Sequence, residues 1–286
     1  MSDVASQSDE DARRAAAQAL APLRVRGGIR ARFHAARDAS HITDLGESGG
    51  YRLRFPTTHA PHIEAVQINT GGGVAGGDRL AFSFAADAGA DVVVATQAAE
   101  RIYRTNGPAA EIDVRLSLAT AARLDWLPQE TILFSGARLK RRFDVDLAAD
   151  ARLLMLEAVT FGRIASGEIM GVGGLNDIWR VRRDGHLIFA DATRLDGPIA
   201  EALARPAVAG GDRAIALLLY VAPDAADRLD SVRAVLADAR SHCGASTWNG
   251  MLSIRFQGAD GGLVRRDVVD VVQTLSRRPL PRVWQT

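Results

Sequence analysis

Phe84-Ala85-Ala86-Asp87-Ala88-Gly89-Ala90 and Leu118-Ala119-Thr120-Ala121-Ala122-Arg123-Leu124 are two copies of one pattern, and Leu147-Ala148-Ala149-Asp150-Ala151-Arg152-Leu153 is a third. Val181-Arg182-Arg183-Asp184-Gly185-His186-Leu187 is a fourth, and the copies begin 34, 29 and 34 residues apart. Each reads as the end of one strand, a tight turn of small residues and the start of the next. Recurrence near 30 residues is the trace that stacked β-coils leave in a sequence. Four ordinary hairpins in an Ala-rich chain leave the same trace. The fold class adopted is mainly β: a helical, solenoid-like stack of short strands.

Outward from these turns the dominant period is two. Residues 80–84, 91–95, 112–118, 123–127, 143–147, 152–156, 178–182 and 186–190 are short runs, many of them alternating apolar and polar residues as half-buried strands do. No amphipathic helix interrupts them, which argues against an alternating β-α parallel sheet. After residue 210 the pattern changes. Residues 214–222 and 251–256 read as strands. Leu229, Val232, Val235 and Leu236 recur at helical spacing within 224–240, and Val264, Val268, Val271, Val272 and Leu275 mark a second helix that Pro279 and Pro281 end. The expected organisation is a flexible leader over 1–22, a β-strand body over 23–205, and a β-α-β-α portion over 206–286 packed on the body, which supplies two C-terminal α-helices.

The chain has 286 residues, 47% of them hydrophobic and 24% charged, the make-up of a soluble globular protein. Its 35 basic and 34 acidic residues leave a net charge of +1, which gives no electrostatic footprint for nucleic acid or an acidic membrane. Lys140 is the only lysine and Cys243 the only cysteine, so neither an intrachain disulfide nor a cysteine-based zinc site can form within one chain. No apolar run approaches the ~18 residues of a membrane span, and residues 1–21 lack the basic start and apolar run of a signal peptide. The expected location is the cytoplasm.

Asn69-Thr70-Gly71-Gly72-Gly73-Val74-Ala75-Gly76-Gly77-Asp78 is the richest glycine stretch. It lacks the Gly-Lys-Ser/Thr of a P-loop and runs into a strand rather than a helix, so no nucleotide is expected on this chain. The bland reading is a loop in which backbones approach closely. His59-Ala60-Pro61-His62-Ile63-Glu64 groups two imidazoles and a carboxylate, weak candidates for a metal; ordinary surface histidines are the alternative. His34, His41, His186 and His242 stand isolated in the sequence. Cys243, between His242 and Gly244, has a setting that can depress a thiol pKa, although a lone cysteine near a helix end is more often inert. Glu157, Glu168 and Asp191 are carboxylates of the kind a β-solenoid glycosidase pairs.

Three further blocks mix charge with apolar residues next to strand ends: Thr96-Gln97-Ala98-Ala99-Glu100-Arg101-Ile102-Tyr103-Arg104, Trp126-Leu127-Pro128-Gln129-Glu130-Thr131-Ile132-Leu133-Phe134-Ser135-Gly136-Ala137-Arg138 and Gly162-Arg163-Ile164-Ala165-Ser166-Gly167-Glu168. If these groups converge inside a β-coil, a water-filled polar passage would satisfy them, since burying bare charge is costly. Ion pairs in turn regions are the alternative.

With the glycine stretch, Arg183-Asp184-Gly185 and the terminal Pro281-Arg282-Val283-Trp284, these blocks resemble, in order, the UreD (UreH) family of urease accessory proteins. Arg101 stands where the family often has Lys, and Ser135 where an acidic residue is common. The resemblance implies a scaffold or chaperone, not an enzyme. It would bind apo-urease on one side and UreF on the other, and reach the GTPase UreG through UreF. Nickel would be a transient cargo. A hydrated ion crossing the body would need weak, serial ligands. The candidates are Asp78, Glu100, Glu130, Glu168 and Asp191, with Tyr103 and Arg163 ordering them, Gly71, Gly72, Gly73, Gly76 and Gly77 shaping a partner surface, and His59 and His62 at the intake. A β-solenoid hydrolase with paired carboxylates and a docking-only scaffold are the alternatives.

Overall fold

The computed structural model describes residues 24–37, 39–276 and 278–285; the expected leader over 1–22 lies outside them. Strands β1 (Arg26–Ala36), β2 (Ala39–Ser48), β3 (Tyr51–Arg54) and β4 (Ile63–Asn69) open the fold. The coils follow: β5 (Arg79–Ala86), β6 (Asp91–Thr96), β7 (Glu100–Ile102), then β8 (Ala110–Leu118), β9 (Arg123–Leu127), β10 (Thr131–Leu133), then β11 (Arg138–Leu147) and β12 (Arg152–Phe161). β13 (Gly173–Arg183), β14 (His186–Gly197), α1 (Ile199–Ala204), β15 (Ala214–Val221), α2 (Leu229–Leu236), β16 (His242–Trp248), β17 (Met251–Gly258) and α3 (Gly261–Ser276) complete it.

Two sheets face each other. The first runs β14-β13-β11-β8-β5-β1-β2, and the second runs β16-β17-β15-β12-β9-β6-β4-β3, with β10 also beside β12 and β7 beside β10. Within the coils the strands are parallel: β1, β5, β8, β11 and β13 in the first sheet, β4, β6, β9 and β12 in the second. Parallel neighbours need a crossover, usually a helix. Here the crossover is a strand of the opposite sheet, so the sequence shows parallel pairing without helices. Antiparallel strands close the stack: β2 on β1, β14 on β13, β3 on β4, and β15, β17 and β16 beyond β12. The C-terminal strands therefore extend the second sheet.

The recurrent small-residue turns separate into two kinds. The first three are coil corners joining strands of different sheets, and only the fourth is a hairpin, between β13 and β14. The corners share one bond: Ala90 N donates to Asp87 O, Ala122 N to Ala119 O and Ala151 N to Ala148 O, at 2.9–3.1 Å. They stack on one another through Arg123 N to Ala90 O and Arg152 N to Ala122 O. Ala90, Ala122 and Ala151 are each 0% exposed, which explains the alanine: stacked corners leave no room for a longer side chain.

Inward-facing residues of neighbouring coils form apolar ladders. Phe82, Val114, Phe143 and Trp179 are successive register partners, and so are Phe84, Leu116, Val145 and Val181. Facing them are Val92, Leu124 and Leu153, then Val94, Trp126 and Met155. A second apolar layer lies outside the second sheet, where Val264, Val268, Val271 and Val272 of α3 pack on Leu154, Leu156 and Leu218.

Two sequence expectations change. The helix expected over 224–240 is shorter, Leu229–Leu236 after a 3₁₀ turn. At its start Asp224 is engaged by Arg152, Tyr220 and Arg228, and at its end Asp267 accepts bonds from the Arg240 and Ser241 amides, which turns the chain into β16. Cys243 consequently lies in an edge strand, where burial, with Asp267 nearby, pushes its thiol pKa up rather than down.

Candidate functional site

One ladder of the first sheet breaks the apolar rule. Leu80, Ile112, Arg141 and Asp177 are register partners, so the third and fourth rungs put a guanidinium and a carboxylate between the sheets. Arg141 Nη1 donates to Glu157 Oε2 at 2.5 Å and to Thr131 Oγ1 at 3.0 Å. Its Nη2 and Nε donate to the two oxygens of Asp177 at 2.6 and 3.3 Å. Trp126 Nε1 donates to the other oxygen of Glu157 at 2.8 Å. All four partners of this centre, Thr131, Arg141, Glu157 and Asp177, are at least nine-tenths buried. Burial pushes the Glu157 carboxyl up to about 7 against the pull of Arg141, while Asp177 and Glu157 hold the guanidinium charged.

Thr131 links this centre to a second group. The short strands β7, β10 and β12 are parallel, and their register sets Glu100, Thr131 and Val159 side by side. Glu100 accepts from Asn69 Nδ2 at 2.9 Å and from the Tyr51 hydroxyl at 3.1 Å, and the same Asn69 amide donates to the Tyr51 oxygen. Tyr51 is 2% exposed and meets Phe82 edge-on. Burial raises the pKa of Glu100, and burial beside that carboxylate raises Tyr51. A cavity of about 140 Å³, lined by Gln67, Asn69, Gly72, Thr96, Gln97 and Glu100, opens this end.

At the other end the sheets diverge around a cavity of about 620 Å³ between β13–β14 and β15–β17–β16. Arg141, Glu157 and Asp177 line its floor, and Asp191, paired with Arg255 at 2.9 Å, stands on its wall. Glu100, Thr131, Arg141 with its two carboxylates, and Asp191 thus form a polar row that crosses an otherwise apolar core along the stacking direction, with a cavity at each end. Such a row offers a cation oxygen ligands in series.

Of the expected residues, Glu100 and Asp191 fall on this row. Asp78 is close enough to raise Tyr51 electrostatically, but its carboxylate is tied to the backbone, accepting from Val25 N and Ala75 N at 2.9 and 2.8 Å. Glu130, Tyr103 and Arg163 are off the row, around an outer groove of about 810 Å³. Glu168 is off it too, tied to Arg163 at 3.0 Å, with Arg163 stacked over Phe134 at 4.6 Å. The glycine block, Gly71 to Gly77, is a close-packed loop: Tyr103 Oη donates to Gly72 O, a Cβ on Gly73 would lie 2.7 Å from the Tyr103 ring, and one on Gly76 would lie 2.2 Å from Thr105. His59 is exposed with a left-handed φ of 53°. Burial and Arg278 lower the pKa of His62. Among the described residues no three His, Cys, Asp or Glu side chains come together as a metal cluster.

Sequence reasoning missed Tyr51, Thr131, Arg141 and Asp177 as site residues, took Asn69 only as the start of a loop, and weighed Glu157 only for hydrolysis. The signal was parity: Arg141 interrupts the inward series Leu139, Phe143, Val145, and Asp177 the series Leu175, Trp179, Val181. The carboxylates weighed for hydrolysis are each held by a different arginine: Glu157 by Arg141, Glu168 by Arg163 and Asp191 by Arg255.

Comparison with known proteins places these features in a family context. The UreD urease accessory protein family matches residues 25–285. A protein of Azorhizobium caulinodans named urease accessory protein UreD is 51% identical over 266 residues, covering 92% of this chain and 98% of that protein. One of the same name from Xanthobacter autotrophicus is 52% identical over 263 residues, 92% of this chain and 91% of its own. Another from a Methylobacterium species is 47% identical over 256 residues, 88% and 91% of the two chains.

Proposed function

This chain belongs to the UreD family of urease accessory proteins, and from that premise we propose that it is the scaffold through which nickel reaches apo-urease, joined to urease on one side and to UreF, and through UreF to UreG, on the other. The observation that carries the reading is the polar row: two cavities at opposite ends of a core that is otherwise apolar, joined by Glu100, Thr131, Arg141, Glu157, Asp177 and Asp191.

Nickel is cargo here, not a resident cofactor. A divalent ion with its water cannot cross an apolar core without replacement ligands. Carboxylates in series supply them, each weak enough to let go. With no cargo, Arg141 pairs with both Glu157 and Asp177; an arriving cation competes for the same oxygens, so the guanidinium acts as a latch on the row. Because the Glu157 carboxyl sits near 7, cation binding there displaces a proton. GTP hydrolysis belongs to UreG, and the glycine loop, packed on Tyr103 and Thr105, is a structural element beside the partner surface. In this reading the complex works in the cytoplasm; among the described residues no helix is long and apolar enough to cross a membrane.

The test is co-expression with urease and its other accessory proteins, comparing Glu100→Leu and Glu157→Leu with the conservative Glu100→Gln. Urease nickel content should fall severalfold in the leucine variants and less in the glutamine variant, while urease and UreF still co-purify with the chain. Normal nickel content in both leucine variants would leave a docking-only scaffold and end the passage reading.

A further inference from the structure

We propose that His34 and His41 form a surface binding site for a late first-row divalent metal ion, nickel foremost, with the Asp87 carboxylate nearby. The two histidines are isolated in the sequence, but β1 and β2 set them directly opposite each other. This pairing depends on a bulge. From Gly28↔Ser48 to Arg32↔Asp44 the strands keep one register; Thr43 is then the extra residue, and from Phe33↔Ile42 onward the register is shifted by one. Without the bulge Ile42 would face His34. Thr43 Oγ1 donates to Arg32 O at 3.2 Å, which fastens the bulge in place. Bulges commonly re-aim side chains in this way.

Both imidazoles are exposed, on the face opposite the buried Phe33. Directly opposed residues have Cβ atoms about 4.5–5.5 Å apart, a span that two imidazoles can bridge by ligating one ion at about 2.0–2.1 Å. Imidazole suits nickel and its neighbours and does not suit magnesium or calcium. Asp87 Oδ2 is 4.0 Å from His34 Nδ1. That separation is longer than a hydrogen bond, and the carboxylate's other oxygen accepts from Arg32 at 2.7 Å, so Asp87 acts on the ring through its charge alone. Asp87 also lines a shallow groove with Arg32, Asp146 and Asp184. β2 is the edge strand of its sheet, which leaves the outer side open for waters to complete the coordination. Two protein ligands and waters make an exchangeable site, distinct from the interior row: Asp87 lies seven residues along from Leu80, roughly 23 Å of extended strand.

The choice of nickel rests on the proposed function; the opposed imidazoles do not. The experiment titrates the purified, tag-free chain with Ni²⁺ alone by calorimetry, beside His34→Ala, His41→Ala, Asp87→Asn and the control His186→Ala. Circular dichroism checks that each exposed substitution leaves the fold unchanged. One equivalent of nickel binding should vanish in His34→Ala and in His41→Ala and weaken at most severalfold in Asp87→Asn, which removes only a nearby charge. It should persist in His186→Ala, and Mg²⁺ should give no binding heat. Unchanged nickel binding in both His34→Ala and His41→Ala overturns the site, and so does an equal loss in His186→Ala. The readout is metal binding by this chain alone, so its failure leaves the interior row untouched, and failure of the urease test leaves this site standing.

Discussion

Arg163–Glu168 and Arg141–Glu157 are the same chemical pair in two surroundings. The first closes a turn at the surface, where hydrogen bonds from Arg163 hold the Glu168 carboxyl below the usual carboxylate range. The second lies between the sheets, where burial lifts Glu157 to about 7 despite a shorter contact with its arginine. Contact alone therefore does not decide the charge state; desolvation outweighs it in the core and yields to it at the surface. The pair that stands out in the sequence, within the block 162–168, is the surface one. The pair that crosses the interior lies outside all of the quoted blocks, in β11 and β12.

The sharpest way to separate the pairs is to remove each arginine. Arg141→Ala leaves Glu157 and Asp177 buried without their counter-charge, and should lower stability by about 3–5 kcal/mol in urea denaturation. Arg163→Ala should leave the denaturation midpoint close to that of the unsubstituted chain, because exposed pairs contribute little. Similar midpoint shifts in the two variants would break the contrast.

A smaller effect is expected from pH. The folded-state pKa of Glu157 is raised from 4.5 to about 7, so the folded chain binds the extra proton in that window. Its contribution to stability is intact below about 4.5 and is lost as pH rises through about 7. A shift of this size amounts to roughly 3 kcal/mol at most. Glu157→Gln should remove this slope from stability measured across the window. Glu168 has the opposite sign: its lowered pKa stabilises above the ordinary carboxylate range, and the effect fades as pH falls. Glu168→Gln should accordingly produce the smallest change, confined to acid pH. An unchanged slope in Glu157→Gln would mean that the carboxylate stays ionised beside Arg141 throughout.

The contrast also explains what could be read in advance. Coil corners were legible because Ala90, Ala122 and Ala151 must all be small for the same reason, and one steric rule repeated leaves a period. The α3 face was legible from Val264, Val268, Val271 and Leu275, since helical spacing is local. The polar row was not. Its members, Glu100 to Asp191, come from six strands and meet only through registers set by non-local pairing. Arg141 was further hidden among Arg138, Lys140 and Arg142, whose side chains take the outward positions of the same strand. Strands β1–β4 escaped individual assignment, and with them the opposition of His34 to His41, which no spacing along the chain expresses.

Because the stack is built of whole coils, the molecule measures distance in rungs. Glu100, Thr131 and Val159 sit on three consecutive ones, each about 4.8 Å from the last. The gap between the two mouths is thus fixed by how many turns of chain are wound, much as thickness is fixed by the number of sheets in a ply. Deleting one turn would shorten that gap by a single increment and unseat every partner on one side of the row at once; no drift by a fraction of a step is available.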